Sequence, residues 1–159
     1  MNAMPNISKK IFAYLLFFSV ACSCGYRVAV SPPWKKANPA GGKAVDFLKS
    51  DFAGRLDSAV LAGRPVFIDF YTDWCGPCRT MDRDVFTDTE LASYFNGAFL
   101  SLKVNAEKGE GIEQARKFGV KAYPTLVFLD ARGVEKKRIV GLASAAQLRK
   151  AGRRVAGNK

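Results

Sequence analysis

The sequence predicts an α/β domain built on a mixed sheet. Three observations lead there: strand-like and helix-like patterns alternate from about residue 44 onward, one strand candidate is apolar almost throughout, and a short turn containing glycine joins two further strand candidates. The chain has 159 residues, 48% of them hydrophobic, which suits one ordinary core and is short for two. Histidine is absent from the sequence. That excludes His-based acid/base catalysis, Ser-His or Cys-His nucleophile pairs and a Cys₂His₂ zinc site, so chemistry falls to Cys, carboxylates and Lys.

Residues 1–24 read as an address. Lys9 and Lys10 precede an apolar run from Ile11 to Ala21, followed by Cys22, Ser23, Cys24 and Gly25, the order of a basic segment, an apolar segment and a small-residue cleavage zone. The run falls short of the roughly 20 residues that cross a hydrocarbon core. Ser19-Val20-Ala21-Cys22 also resembles a bacterial lipoprotein signal, with Cys22 as the lipid-bearing first residue. That pattern usually has Leu where Ser19 stands, and Cys24 competes as acceptor. Simple secretion and lipid anchoring in a membrane both remain open. Either route implies an exported, periplasmic protein in a compartment where disulfides persist. Residues 25–43 hold Pro32, Pro33, Pro39, Gly41 and Gly42 and read as a tether, with the folded domain at 44–159.

Within that domain Val45 to Leu48 is a short edge-strand candidate. Asp51 is placed to cap a helix whose apolar residues Phe52, Leu56, Ala59 and Val60 recur at helical spacing before Gly63. Val66 to Tyr71, interrupted only by Asp69, reads as a central strand covered on both faces. A helix opens at Cys75-Gly76-Pro77-Cys78 and runs through Met81, Val85 and Phe86, with Asp88 starting a continuation over Leu91 to Phe95. Ala98 to Val104 is a second central strand, and Ile112 to Phe118 a helix stopped by Gly119. Thr125 to Leu129 and Val134 to Val140 flank Ala131-Arg132-Gly133 as an antiparallel hairpin, and a last helix covers Ser144 to about Val155.

A Cys-x-x-Cys at a helix start is chemically pointed. The helix N-terminus carries about half a positive charge and unpaired N–H groups that favour a thiolate, the species that attacks disulfides. Cys75 is therefore the expected nucleophile, and Cys78, one turn on, the resolving thiol. Pro77 is tolerated in the first turn and stiffens it. Trp74 is expected to shield the site and offer an apolar platform. Asp69, a lone carboxylate in an apolar strand, is expected to have a raised pKa and to take the Cys78 proton. The alternative places it in water at a strand end.

Residues 44 to 155 resemble the thioredoxin superfamily, on several separated motifs. Trp74-Cys75-Gly76-Pro77-Cys78 matches its active-site motif, and Asp69, six residues before Cys75, matches its buried carboxylate. Tyr123-Pro124-Thr125 after Phe118-Gly119-Val120 matches the loop that carries a cis-proline, and Gly133 and Gly141 match later glycines. Lys103 stands where that family often has a lysine near the carboxylate; a solvated strand-edge lysine is the competing reading. The stretches Arg64 to Trp74 and Met81 to Thr89 look more like the C-terminal periplasmic domain of the membrane reductase DsbD and its small secreted relatives.

The resemblance implies the thioredoxin fold and an enzyme that exchanges protein disulfides through a mixed disulfide. It implies protein thiol or disulfide substrates and an upstream electron donor such as a membrane reductase. The Cys75–Cys78 pair would be its own redox group, with no separate cofactor and no metal. Reduction is the leading direction, because Cys-Gly-Pro-Cys resembles the reducing members. An oxidase or isomerase on the same fold, and a non-catalytic binding module, are the alternatives.

Net charge is +11, or +9 without Lys9 and Lys10. Such charge suits an anionic membrane surface or acidic partners. No interleaved aromatics or nucleic-acid motif accompany it, so solvated basic faces are the preferred reading and no nucleic-acid partner is expected.

Overall fold

The computed structural model describes residues 42–49 and 51–157. The leader, Cys22 and nearly all of the tether lie outside them. The described elements are β1 (Phe47–Leu48), α1 (Phe52–Leu61), β2 (Val66–Tyr71), α2 (Gly76–Thr80) running into a π-helical turn (Met81–Val85), α3 (Thr89–Ala98), β3 (Leu100–Asn105), α4 (Gly111–Lys117), β4 (Thr125–Leu129), β5 (Glu135–Val140) and α5 (Ala145–Ala156). The strands form one sheet in the order β1-β3-β2-β4-β5. β1, β3 and β2 are mutually parallel, while β4 is antiparallel to both β2 and β5. The mixed α/β class read from the sequence holds.

Alternation along β2 divides the core in two. Val66, Ile68 and Phe70 pack with Leu102, Val104, Val127 and Leu129 beneath Phe52 and Ala59 of α1 and Ala115 of α4. Phe67 faces the other side, among Met81, Phe86, Leu91, Phe95, Phe128 and Leu148. Its ring lies 4.9 Å from those of both Phe95 and Phe128. Each fully buried phenylalanine contributes on the order of 2–3 kcal/mol by leaving water. Because both faces of β2 are covered this way, the strand reads as a continuous apolar run, and a polar residue in it is conspicuous.

Several ends differ from expectation for visible reasons. β1 begins only at Phe47, because the Val45 N–H is taken by the Phe86 carbonyl at 2.8 Å. The helix after the cysteines widens at Met81 into a π turn, closed by Phe86 N–H on the Met81 carbonyl at 2.9 Å, and α3 then starts afresh on its Asp88 cap. β3 begins at Leu100, since Ala98 still belongs to α3. The hairpin turn is built by Asp130, whose carboxylate accepts from the N–H groups of Arg132 and Val134, and by Gly133 at φ 78°. Burial works against that carboxylate's charge, but those N–H groups with Arg132 and Lys136 hold its pKa at about 2.

The chain start of α4 is the tightest glycine site. A Cβ at Gly111 would lie 2.0 Å from the Asn105 carbonyl oxygen, a backbone atom that ends β3 and cannot swing aside. Gly111→Ala is expected to cost about 2–3 kcal/mol in chemical denaturation. An unchanged midpoint would show that β3 and α4 can separate without loss.

Candidate redox site

β2 delivers the chain to one end of the sheet, where Cys75 N–H closes a turn on the Thr72 carbonyl at 3.2 Å. Cys75 thereby becomes the cap of α2. Its sulfur accepts from the Cys78 N–H at 3.1 Å and is bonded to the Cys78 sulfur at 2.03 Å. Both cysteines are buried to within 3% exposure. Gly76 and Pro77 between them are exposed. A Cβ on Gly76 would meet only the tip of Arg79, at 4.0 Å, so this glycine is required neither by space nor by a positive φ.

Across β2 and β4, Thr125 stands opposite Phe70, which brings the buried Pro124 to the same end of the sheet as Cys75. The Tyr123–Pro124 bond is cis. The Pro124 carbonyl accepts from Gly141 and the Ala122 carbonyl from the Thr125 hydroxyl, fixing the loop from both sides. Tyr123 meets the Trp74 ring edge-on at 5.9 Å. Trp74 is 65% exposed, with its indole N–H donated to both Glu107 carboxylate oxygens at 2.9 and 3.1 Å. Asp73 is held from the same loop, by the Asn105 amide at 2.9 Å and the Lys108 ammonium at 2.6 Å. The end of β3 and the segment after it thus clamp the two residues that precede Cys75.

Asp69 is 1% exposed, which removes the reading of a strand end in water. In the β2/β3 register it lies directly opposite Lys103, and the Lys103 ammonium donates to its Oδ2 at 2.7 Å. Lys103 is likewise buried, not a solvated edge residue, and also donates to Asp82 of the π turn. Three rings surround the ammonium: Tyr71 at 4.7 Å, and Phe47 and Phe86 at 5.2 Å each. Burial pushes the Asp69 carboxyl above its usual range; Lys103 opposes this, and the charge of Asp82 adds to the rise. Burial alone would pull Lys103 down, but two carboxylates outweigh it and hold the ammonium above its usual value. The two shifts are compatible because Lys103 has two counter-charges, whereas Asp69 shares one and its Oδ1 accepts no hydrogen bond among the described residues.

Lys103→Met would leave Asp69 buried without a counter-ion. The expected loss is about 3–5 kcal/mol at neutral pH. Because the pKa of Asp69 in the folded variant would lie far above its unfolded value, the deficit should shrink as acid protonates it. A deficit independent of pH would assign the loss to packing alone.

Asp82, Tyr71, Asn105, Glu107 and Lys108 were not singled out as site residues from the sequence. Asp82 carried a usable signal, standing four residues after Cys78 on one helical face. Glu107 carried none, since its role depends on where the loop after β3 returns.

A family model described as a thioredoxin-like domain matches residues 52–156. The thiol:disulfide interchange protein DsbD of Ralstonia nicotianae is 34% identical over 119 residues, 69% of this chain and 20% of that protein. The chain therefore spans about a fifth of that curated relative. A thioredoxin H-type of Oryza sativa subsp. indica is 40% identical over 94 residues, 58% of this chain and 70% of its own. Among solved structures, a putative disulphide-isomerase from Bacteroides thetaiotaomicron superposes with a TM-score of 0.61 at 38% identity, covering 73% of this chain and 96% of its own. A thioredoxin from Thermus thermophilus gives 0.61 at 28% identity, with 69% and 86% covered.

Proposed function

The chain belongs to the thioredoxin-like domain family, and from that premise we propose that it is an extracytoplasmic thiol-disulfide oxidoreductase that reduces protein disulfides. The observation that carries the proposal is the placement of Cys75 at the cap of α2, with the Cys78 N–H directed at its sulfur. The reduced Cys75 thiolate attacks a substrate disulfide, one substrate sulfur leaves as a thiolate that takes its proton from water, and a mixed disulfide forms. Cys78 then gives up its proton, with Asp69 as the acceptor, and attacks the Cys75 sulfur. The second substrate sulfur leaves, and the Cys75–Cys78 bond closes. Two electrons pass from the pair to the substrate, and a donor outside this chain must restore them.

Trp74, Val140 and Leu142 are exposed apolar side chains at or beside the dithiol end and suit an unfolded or extended substrate segment. The cis-Pro124 loop, with Tyr123 against Trp74, forms the wall across from Cys75. No separate cofactor is required for this exchange. Location outside the cytosol rests on the leader and on likeness to DsbD. Anchoring through Cys22 belongs to the same proposal.

An isomerase reading is favoured by one observation, the likeness to the putative disulphide-isomerase. The equilibrium potential of the Cys75/Cys78 pair separates the readings. A value near roughly −270 mV is expected for a reductase, and one near −180 mV or higher would support isomerisation or oxidation instead.

A further inference from the structure

We propose that the pole of the domain opposite the dithiol is a docking surface for anionic phospholipid headgroups. This goes beyond the redox reading and does not depend on its direction. β2 and β3 both end at the dithiol pole, with Tyr71 beside Asn105, and both begin at the other, with Val66 beside Leu100. β1 runs parallel to β3, so the chain enters the domain at that second pole. The β4–β5 turn lies there too, since Leu129 pairs with Val66 on one side and Glu135 on the other. α5 starts beside the dithiol, where Ala143 N–H meets the Met81 sulfur, and finishes at the far pole.

Charge that looks scattered along the sequence is gathered by this topology. Arg154 and Val155 of α5 share a hollow of about 470 Å³ with Asp130, Arg132, Lys136 and Lys137 of the hairpin. A second hollow of about 670 Å³ runs along α5 from Ala146 near its start, past Glu90, Arg149, Lys150 and Arg153, to Arg154 and Gly157 at the far pole. Carboxylates facing these cations are few. Asp130 takes Arg132 and Lys136, Asp88 and Glu90 share Arg149, and Glu135 is occupied by Arg138. Lys137, Lys150, Arg153 and Arg154 are all exposed and make no ion pair among the described residues.

Apolar side chains at the same pole favour lipid over an acidic protein or a nucleic acid. Leu61, at the end of α1 just before β2 begins, is 89% exposed, and Val134 in the hairpin turn is 49% exposed. The two elements touch, since a Cβ on Gly133 would lie 3.1 Å from a Val60 methyl. Exposed aliphatic groups beside unpaired cations are what an interfacial surface presents, the first entering the acyl boundary and the second meeting phosphates.

The test uses the full chain on vesicles of phosphatidylcholine alone or mixed with phosphatidylglycerol, and it is read at single residues of the domain because the basic leader and tether are themselves drawn to anionic lipid. Lysine acetylation rates are read residue by residue by mass spectrometry. Lys137 and Lys150 should be acetylated several-fold more slowly on the anionic vesicles only, with the protection lost at high salt. Lys108, beside the dithiol, should not change. Replacing Lys137, Lys150, Arg153 and Arg154 by Gln should weaken anionic-vesicle binding by roughly fivefold for each side chain removed, without affecting exchange on a soluble disulfide. Leu61→Asp should weaken it further. Equal rates on the two vesicle types, equal slowing at Lys108, or protection by soluble polyglutamate with none on vesicles would each overturn the proposal, the last in favour of an acidic protein partner.

Discussion

Cys75→Ser is expected to bring disulfide reduction down to the uncatalysed background, whereas Cys78→Ser retains the first attack and accumulates a mixed disulfide with substrate. The asymmetry follows from position. Only Cys75 caps the helix and receives an N–H from the following turn, so its thiolate is the stabilised one. Cys78 lies inside the first turn; the two cysteines are equally buried, so helix position and not exposure separates them. Cys78 is suited to the second step, because the Cys75 sulfur is within bonding distance. Insulin reduction followed by turbidity reads the first variant, and non-reducing gel electrophoresis of the second reads the trapped adduct. Full activity in Cys75→Ser, or trapping by that variant in place of Cys78→Ser, would reverse the assignment or remove it.

Asp69→Asn is expected to slow resolution of the mixed disulfide by roughly 10²-fold, the lower end of what a positioned base contributes, while leaving the first attack nearly unchanged. The carboxylate is the form that accepts a proton, and burial raises its pKa. Resolution by the parent should therefore be lost as pH falls through that raised value and recovered above it. The variant should lack this limb. Stability moves the opposite way. Between the unfolded and the raised folded pKa the native state holds a proton that the unfolded chain has released, so Asp69 reduces stability progressively as pH rises through that window. Asn cannot titrate, and Lys103 keeps Asp82 as its partner. The variant's stability should accordingly be flatter with pH. Stopped-flow resolution rates and denaturation midpoints across pH test both limbs, and identical profiles for parent and variant would remove Asp69 from the proton path.

Most of the fold was legible because its central strands announce themselves. The run Val66 to Tyr71 has apolar residues on both faces, and Thr125 to Leu129 is fully buried. The dithiol and the buried carboxylate were legible for a related reason, since each breaks a local rule, whereas the cis-proline loop was legible only through its resemblance to a family motif. What escaped was long-range closure. Val45 leaves the strand because of a carbonyl 41 residues later, and the ammonium of Lys103 is shared with a residue of the π turn. A helical pattern from Cys78 to Phe86 does not disclose that one turn is wider than the rest. Nor does a list of lysines and arginines disclose which of them α5 and the hairpin bring together.

The parallel run of β1, β3 and β2 also sets a reach. A six-residue strand rising about 3.3 Å per residue spans roughly 20 Å, and that length separates the end where the chain comes in from the end where the sulfurs sit. The domain is in effect an arm with its reactive group at the tip. If the basic pole rests on a surface, the sulfurs stand clear of it by that height. A target bond standing out from the surface is met end-on, and one lying flat against it is met only when the arm tips over.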